Sequence, residues 1–196
     1  MSRNMGSEFG LSNYRYFIGI QTRWADNDSY GHINNSVYHY FVDTVINNYL
    51  IWHCGMATGE KAKKMNWKHF MVENKCIYKR PLQFPQILLA GVGIRRIGTS
   101  SVHYSVGFFE PKSDYSAKLD VDPLTSLGIG SQGLLISPSH PEKLNDISRF
   151  YKHDAAVVGN PVHVFVESQS DKPLKQLDQY LKENLENIKI ENINKL

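Results

Sequence analysis

The sequence predicts an α+β domain in which an antiparallel β-sheet wraps around one long, largely apolar helix. Three observations carry that reading. Between residues 36 and 52 the apolar side chains Tyr38, Phe41, Val42, Val45, Ile46 and Tyr49 recur at steps of three and four, while His39, Asp43 and Asn47 fall opposite, which is the pattern of a helix. The segments 14–24, 70–80, 86–97, 100–110 and 154–167 are instead rich in Val, Ile, Phe and Tyr and suit a pleated surface. Short connections between 70 and 110 favour antiparallel neighbours, and an apolar helix must be covered by the strands that follow it. With 196 residues, 41% hydrophobic and 21% charged, the chain can bury one good core, expected over 11–190.

Taken in order, residues 1–10 read as a tag or disordered leader, since GSEF at 6–9 looks like a cloning scar. The strand 14–24 sets Tyr16, Ile18, Ile20 and Trp24 on one side, with Gln21 and Arg23 on the other. A polar turn follows, and Asn34, Asn35 or Ser36 can cap the helix, which Gly55 stops. Residues 55–68 are polar and read as a mobile connection. In the strand 70–80, Phe70, Val72, Cys76 and Tyr78 share a face, and Pro81 and Pro85 place its end at an edge or outside the sheet. Gly98-Thr99 turns the next hairpin.

Residues 111–153 change character, with Pro111, Pro123, Pro138 and Pro141 among Gly and Ser. They form an insertion with too little apolar surface for a second core, although Leu124, Leu127, Ile129 and Leu134 to Ile136 suffice to fold over an existing groove. The strand 154–167 closes the sheet, with an edge or bulge expected at Pro161. Asp171 caps an amphipathic tail helix whose stripe is Leu174, Leu177, Leu181, Leu185 and Ile188.

Composition removes several function classes. A formal charge of +3 with interspersed signs gives no nucleic-acid-binding stripe. Cys54 and Cys76 show no CxxC or framework spacing, which fits buried thiols in a reducing compartment. No apolar run reaches membrane-spanning length, so the expected location is the cytoplasm, with an organellar site such as the mitochondrion left open. Gly128-Ile-Gly130-Ser-Gln-Gly133 matches GxGxxG but follows no buried strand, and the eight histidines form no HExxH pair.

The informative chemistry lies at residues 26–35. Asp26 and Asp28 precede a helix start, where unpaired N–H groups and the macrodipole stabilise a carboxylate or a developing oxyanion. An Asp here is also a common turn former, and Asp26 reads as structural. Asp28-Ser-Tyr-Gly31-His32-Ile-Asn34-Asn35, followed by Tyr38, resembles the DxxGHxNNxxY signature of the 4-hydroxybenzoyl-CoA thioesterase branch of the hotdog-fold superfamily. KRPLQFPQ at 79–86 and RRIGTSSVHY at 95–104 are similar to that branch as well.

The resemblance implies a hotdog fold and an acyl-CoA thioesterase that yields free acid and coenzyme A. Asp28 would be nucleophile or general base, and the N–H groups of Gly31 and His32 would form the oxyanion hole. Asn35 and Tyr38 would line the pocket, and Lys79, Arg80, Arg95, Arg96, Ser100 and Ser101 would hold the coenzyme A phosphates. The ligand is then a small acyl-CoA, with no metal or redox cofactor and no nucleic acid. A homodimer or homotetramer is implied, with the active site at a subunit interface. Two other classes stay open: a hotdog protein that binds an acyl ligand or partner without catalysis, and an enoyl-CoA hydratase using Asp28 and His32. The insertion 111–153 departs from the family, where this connection is usually a short turn.

Overall fold

The computed structural model describes residues 9–112, 122–137 and 139–190, so residues 1–8 of the expected leader, and Pro138, lie outside the described part. Six strands, β1 (Tyr16–Gln21), β2 (Trp67–Tyr78), β3 (Ile87–Ile97), β4 (Ser101–Phe109), β5 (Leu134–Leu135) and β6 (Val157–Glu167), form one antiparallel sheet. Their spatial order is β2-β6-β4-β3-β1-β5. Helix α1 (Val37–His53) lies along the inner face, and its Tyr38, Phe41, Val42, Val45, Ile46 and Tyr49 join one core with Ile18, Val92, Val106 and Phe165. The result is the sheet around a central helix that the hotdog resemblance implies. Only one side of α1 is covered, however: Tyr40 and Trp52 on the other side remain 72% and 48% exposed.

The start of α1 is built by Asn34, whose side-chain oxygen accepts from the Ser36 N–H at 3.0 Å and the Ser36 hydroxyl at 2.8 Å. Its end is turned by Gly55 at φ 75°, which lets the Met56 N–H reach back to the Leu50 carbonyl. The following polar connection contains a 3-10 turn at Gly59–Lys64.

Several expectations from the sequence are corrected. Trp24 does not continue the first strand; it opens a 3-10 turn, Trp24–Asp26, and is 80% exposed. Strand β2 does not pair with β3 but with β6, because the segment 79–86 carries the chain across the sheet end instead of folding back. Phe70 and Val72 do not share a face with Cys76. The register shifts between Met71 and Glu73, so His69 and Met71 turn inward while Phe70 and Val72 stay 49% and 58% exposed. Pro161 sits in an interior strand and not at an edge, opposite Asn74 on β2 and where the β4 ladder skips from His103–Val162 to Val106–Gly159. Its missing N–H thus falls where β4 offers no bridge.

The tail helix begins later than expected, as α4 (Gln179–Glu186), capped by Asp178, whose carboxylate accepts from the Leu181 N–H at 3.1 Å. Asp171 sits instead at φ 58° in the turn after β6, and Pro173 bridges back to Val166. The insertion contains α2 (Pro123–Leu127), β5 and α3 (Lys143–Phe150). It builds what its composition was read as too poor to build: Ile129, Ile136, Ile147 and Tyr151 close a second core with Tyr14, Phe17, Leu89, Phe109 and Val158. Phe17, Leu89, Phe109 and Val158 of that core come from the outer sheet face, so the insertion folds over an existing surface and need not supply the core alone.

Candidate active site

The turn between β1 and α1 is held from both sides. Asp26, 1% exposed, receives the Arg23 guanidinium at 2.7 Å and the Arg23 N–H at 2.7 Å, while its carbonyl accepts from Asn34. It orients the turn, as read from the sequence. Asn27 accepts from the Phe84 N–H at 3.1 Å, and the Ile33 N–H donates to the Leu82 carbonyl at 2.8 Å. The turn is therefore fastened to the 79–86 crossover.

Half-buried Asp28 stands inside this frame. One carboxylate oxygen accepts from the Tyr30 N–H at 2.8 Å and the His32 N–H at 3.1 Å. The other oxygen has no partner among the described residues. The Gly31 N–H donates to the Asp28 carbonyl at 3.1 Å, and Gly31 takes φ 79°, where a side chain would be strained. The Gly31 and His32 amides are thus turned inward onto Asp28 and do not stand open to an oxyanion in this conformation. The Asn35 N–H, two residues ahead of α1, has no partner among the described residues.

The other expected site residues divide. Asn35 is exposed, and its carbonyl accepts from the Tyr78 hydroxyl at 3.1 Å. Tyr38 is 2% exposed and edge-on to Phe41, Tyr78 and Phe108, so it is a core residue; burial raises its phenol above the ordinary range. Lys79 places its ammonium 3.5 Å over the Phe9 ring. Arg80 donates to Glu110 at 3.0 Å and to the Asp154 carbonyl at 2.6 Å, and Glu110 also holds Lys152 at 2.7 Å. Both lie at the Asp28 end of the sheet.

Arg96, Ser100 and Ser101 lie at the other end, around the β3–β4 hairpin, while Arg95 near the end of β3 reaches back towards mid-sheet. Arg95 donates to Asn160 at 3.0 Å, the Ser100 carbonyl accepts from Phe165, and Arg96 is exposed. Nine residues of β4 separate the two groups, roughly 26 Å of strand. One chain cannot bring all six phosphate candidates to one diphosphate.

A surface groove of about 940 Å³ lies between Ile97–Thr99 and α4. Asp28 does not line it. Around Asp28 the surface is open and aromatic instead: Tyr30 is 84% exposed, and Trp24 sits edge-on to Phe84 at 6.1 Å. Cys54 is buried, its thiol pushed up to about 12, and burial also raises Cys76. Among the described residues no group of three or more His, Cys, Asp or Glu side chains is placed to hold a metal. None of the described helices is long and apolar enough to cross a membrane.

Sequence reasoning missed a polar cluster inside the core. His163 on β6 stacks on His69 of β2 at 4.7 Å, with Tyr104 of β4 edge-on at 5.1 Å. Both His163 nitrogens, His69 Nδ1 and the Tyr104 hydroxyl are buried without a partner among the described residues. Alternation around these residues marks them as inward-facing, which was the one available signal.

Residues 22–173 match the family described as the thioesterase-like superfamily. The PA5185 protein of Pseudomonas aeruginosa is similar over 93% of this chain and 96% of its own, at 28% identity and a TM-score of 0.65. The DHNA-CoA thioesterase of Staphylococcus aureus is 14% identical with a TM-score of 0.53, over 87% of this chain and 86% of that one. A Thermus thermophilus thioesterase complexed with coenzyme A and Zn is also 14% identical at a TM-score of 0.53, over 88% and 98%. At these lower identities the likeness is one of fold. No curated protein matches the chain.

Proposed function

The chain belongs to the thioesterase-like superfamily, and from that premise we propose that it hydrolyses an acyl-CoA thioester to the free acid and coenzyme A. The observation that carries the reading is the state of Asp28: one oxygen clamped by two N–H groups, the other unpartnered, at the entrance to α1. The clamp fixes the carboxylate's direction. The unpartnered oxygen either attacks the thioester carbonyl, giving an anhydride that water then cleaves, or takes a proton from a water that attacks in its place. In both cases the C–S bond breaks and the coenzyme A thiolate leaves and is protonated.

Charge that builds on the carbonyl oxygen needs donors. Gly31 and His32 are occupied in holding Asp28, so the unpartnered Asn35 N–H at the positive end of α1 is the donor we assign. The acyl-CoA itself is supported by the Thermus relative, which is complexed with coenzyme A.

We further propose that the working unit is a homodimer. Lys79 and Arg80 lie at the Asp28 end of the sheet, whereas Arg96, Ser100 and Ser101 lie at the opposite end, so a second copy is needed to bring the latter set beside the first copy's Asp28. Free-thiol release from a panel of aliphatic and aromatic acyl-CoAs tests the activity. Release from at least one class is expected; hydration of an enoyl-CoA with no thiol release from any member would replace this reading with a hydratase.

A further inference from the structure

Both ring nitrogens of His163, Nδ1 of His69 and the Tyr104 hydroxyl are buried together without a partner among the described residues, and His163 and Tyr104 are 0% and 1% exposed. Burial lowers the basicity of both imidazoles, so at neutral pH each ring is uncharged, with one nitrogen to donate and one to accept. The two rings stack with only 13° between their planes, and in-plane lone pairs on stacked rings do not converge on one metal ion. A phenylalanine at His163 would leave no polar atom unmet there. The core thus carries a local cost of the kind that marks functional sites.

The cluster forms the floor of a seam between α1 and β2. The inward residues of β2, His69, Met71, Asn74 and Cys76, are only half-buried, whereas the inward residues of β4 and β6 are sealed. His39 and Asp43 face the seam from α1: the Asn74 amide lies 2.8 Å from His39 Nδ1, and the Asp43 charge acts on His69.

The seam begins at the candidate active site. The Tyr78 hydroxyl donates to the Asn35 carbonyl, and Tyr38 beside it packs on Phe108 at 5.8 Å. From Phe108 to Tyr104 is four residues of β4, roughly 13 Å. From Asn35 to Asp43 is eight residues, roughly 12 Å along the helix. An extended chain advances about 1.2 Å per bond, so one that starts at the Asn35 N–H reaches the cluster after about ten bonds.

We propose that the seam between α1 and β2 takes the acyl chain, and that His163, Tyr104 and His69 bind an uncharged hydroxyl or oxo group at its far end. The substrate class, which rests on the hydrolase reading above, is then an acyl-CoA of about ten to twelve carbons oxygenated near its terminus. A terminal carboxylate does not suit the place, because it would be buried beside neutral rings and near the Asp43 charge.

The experiment is thiol release from 10-hydroxydecanoyl-CoA and 12-hydroxydodecanoyl-CoA beside decanoyl-CoA and dodecanoyl-CoA. A pair too short to reach the cluster, 3-hydroxybutyryl-CoA and butyryl-CoA, serves as control. For the parent, kcat/KM should favour the oxygenated long chains at least about ten-fold and show no preference within the short pair. Tyr104→Phe, which deletes one hydroxyl, and His163→Phe should each bring the long-chain ratio to about one. A parent ratio near one at every length, or a ratio unchanged in both variants, overturns the proposal. Melting with the free acids reads the seam without turnover: 10-hydroxydecanoic acid should raise the parent's melting temperature more than decanoic acid does, and equal shifts also overturn the proposal. If no acyl-CoA releases thiol yet the two acids differ, the hydrolase reading fails and the binding site stands.

Discussion

Acid should unfold this protein through His163, and replacing that histidine by phenylalanine should remove the effect. His163 is 0% exposed, and burial, with His69 stacked on it, pushes its pKa down to about 3. His69 moves the same way by burial, opposed by the charge of Asp43 on α1; the other titratable group against the pair is the Tyr104 phenol. The folded pKa of His163 lies below the unfolded value near 6.5, so the unfolded chain binds the extra proton. The stability contributed by neutral His163 is complete above that value and is lost as the pH falls from about 6.5 towards 3. Each unit in that window costs about 1.4 kcal/mol, so pH 4.5 costs roughly 3 kcal/mol from this residue. Against a typical total of about 5–15 kcal/mol that is a large share. His163→Phe keeps a ring and deletes two unpartnered nitrogens, so stability at pH 7 should rise by about 1–3 kcal/mol. Urea unfolding between pH 7.5 and 4.5 reads both: the variant should be more stable at neutral pH, with a slope shallower by close to one proton. If the variant is instead weaker at pH 7 and keeps the parent's slope, the nitrogens are satisfied in solution and the reasoning fails.

Two further outcomes follow from the packing. Asp178→Ala removes the α4 cap and should cost about 1 kcal/mol, a fall in melting temperature of about 2–4 °C with thiol release unchanged, whereas Asp171→Asn, which still suits the φ 58° turn, should leave the melting temperature within about 1 °C. Glu110→Gln loosens both Arg80 and Lys152 and should cost about 1–3 kcal/mol in denaturant unfolding; a neutral result would show that the two ion pairs contribute nothing measurable to stability.

The elements most legible in the sequence were those decided by neighbours in the chain. Helix α1 could be read because its buried face repeats locally, and the Asp28 turn because Asp, Gly and Asn have local backbone preferences. What escaped depends on residues far apart. The pairing of β2 with β6 joins residues about ninety positions apart, and the bulge at Val72 reverses a face that simple alternation misassigns. Asp171 and Asp178 look alike as caps, and only the Pro173 bridge to Val166 decides between them. The second core was invisible because the insertion supplies isolated Ile and Leu, while the sheet supplies Tyr14 lying on Gly91 and Gly107. At the site, the family resemblance singled out Asp28 but could not show that Gly31 and His32 spend their N–H groups on it, nor that the basic residues are spread from one end of the sheet to the other.

The central claim is that the unpartnered oxygen of Asp28 performs the chemistry, and Asp28→Asn tests it most directly. The asparagine keeps a carbonyl oxygen able to accept from the Tyr30 and His32 N–H groups, so the turn should survive while the base or nucleophile is lost. Measured as thiol release from the best acyl-CoA substrate, kcat should fall by about 10²- to 10⁴-fold, with melting temperature and assembly mass matching the parent. Turnover within a few-fold of the parent would contradict the account.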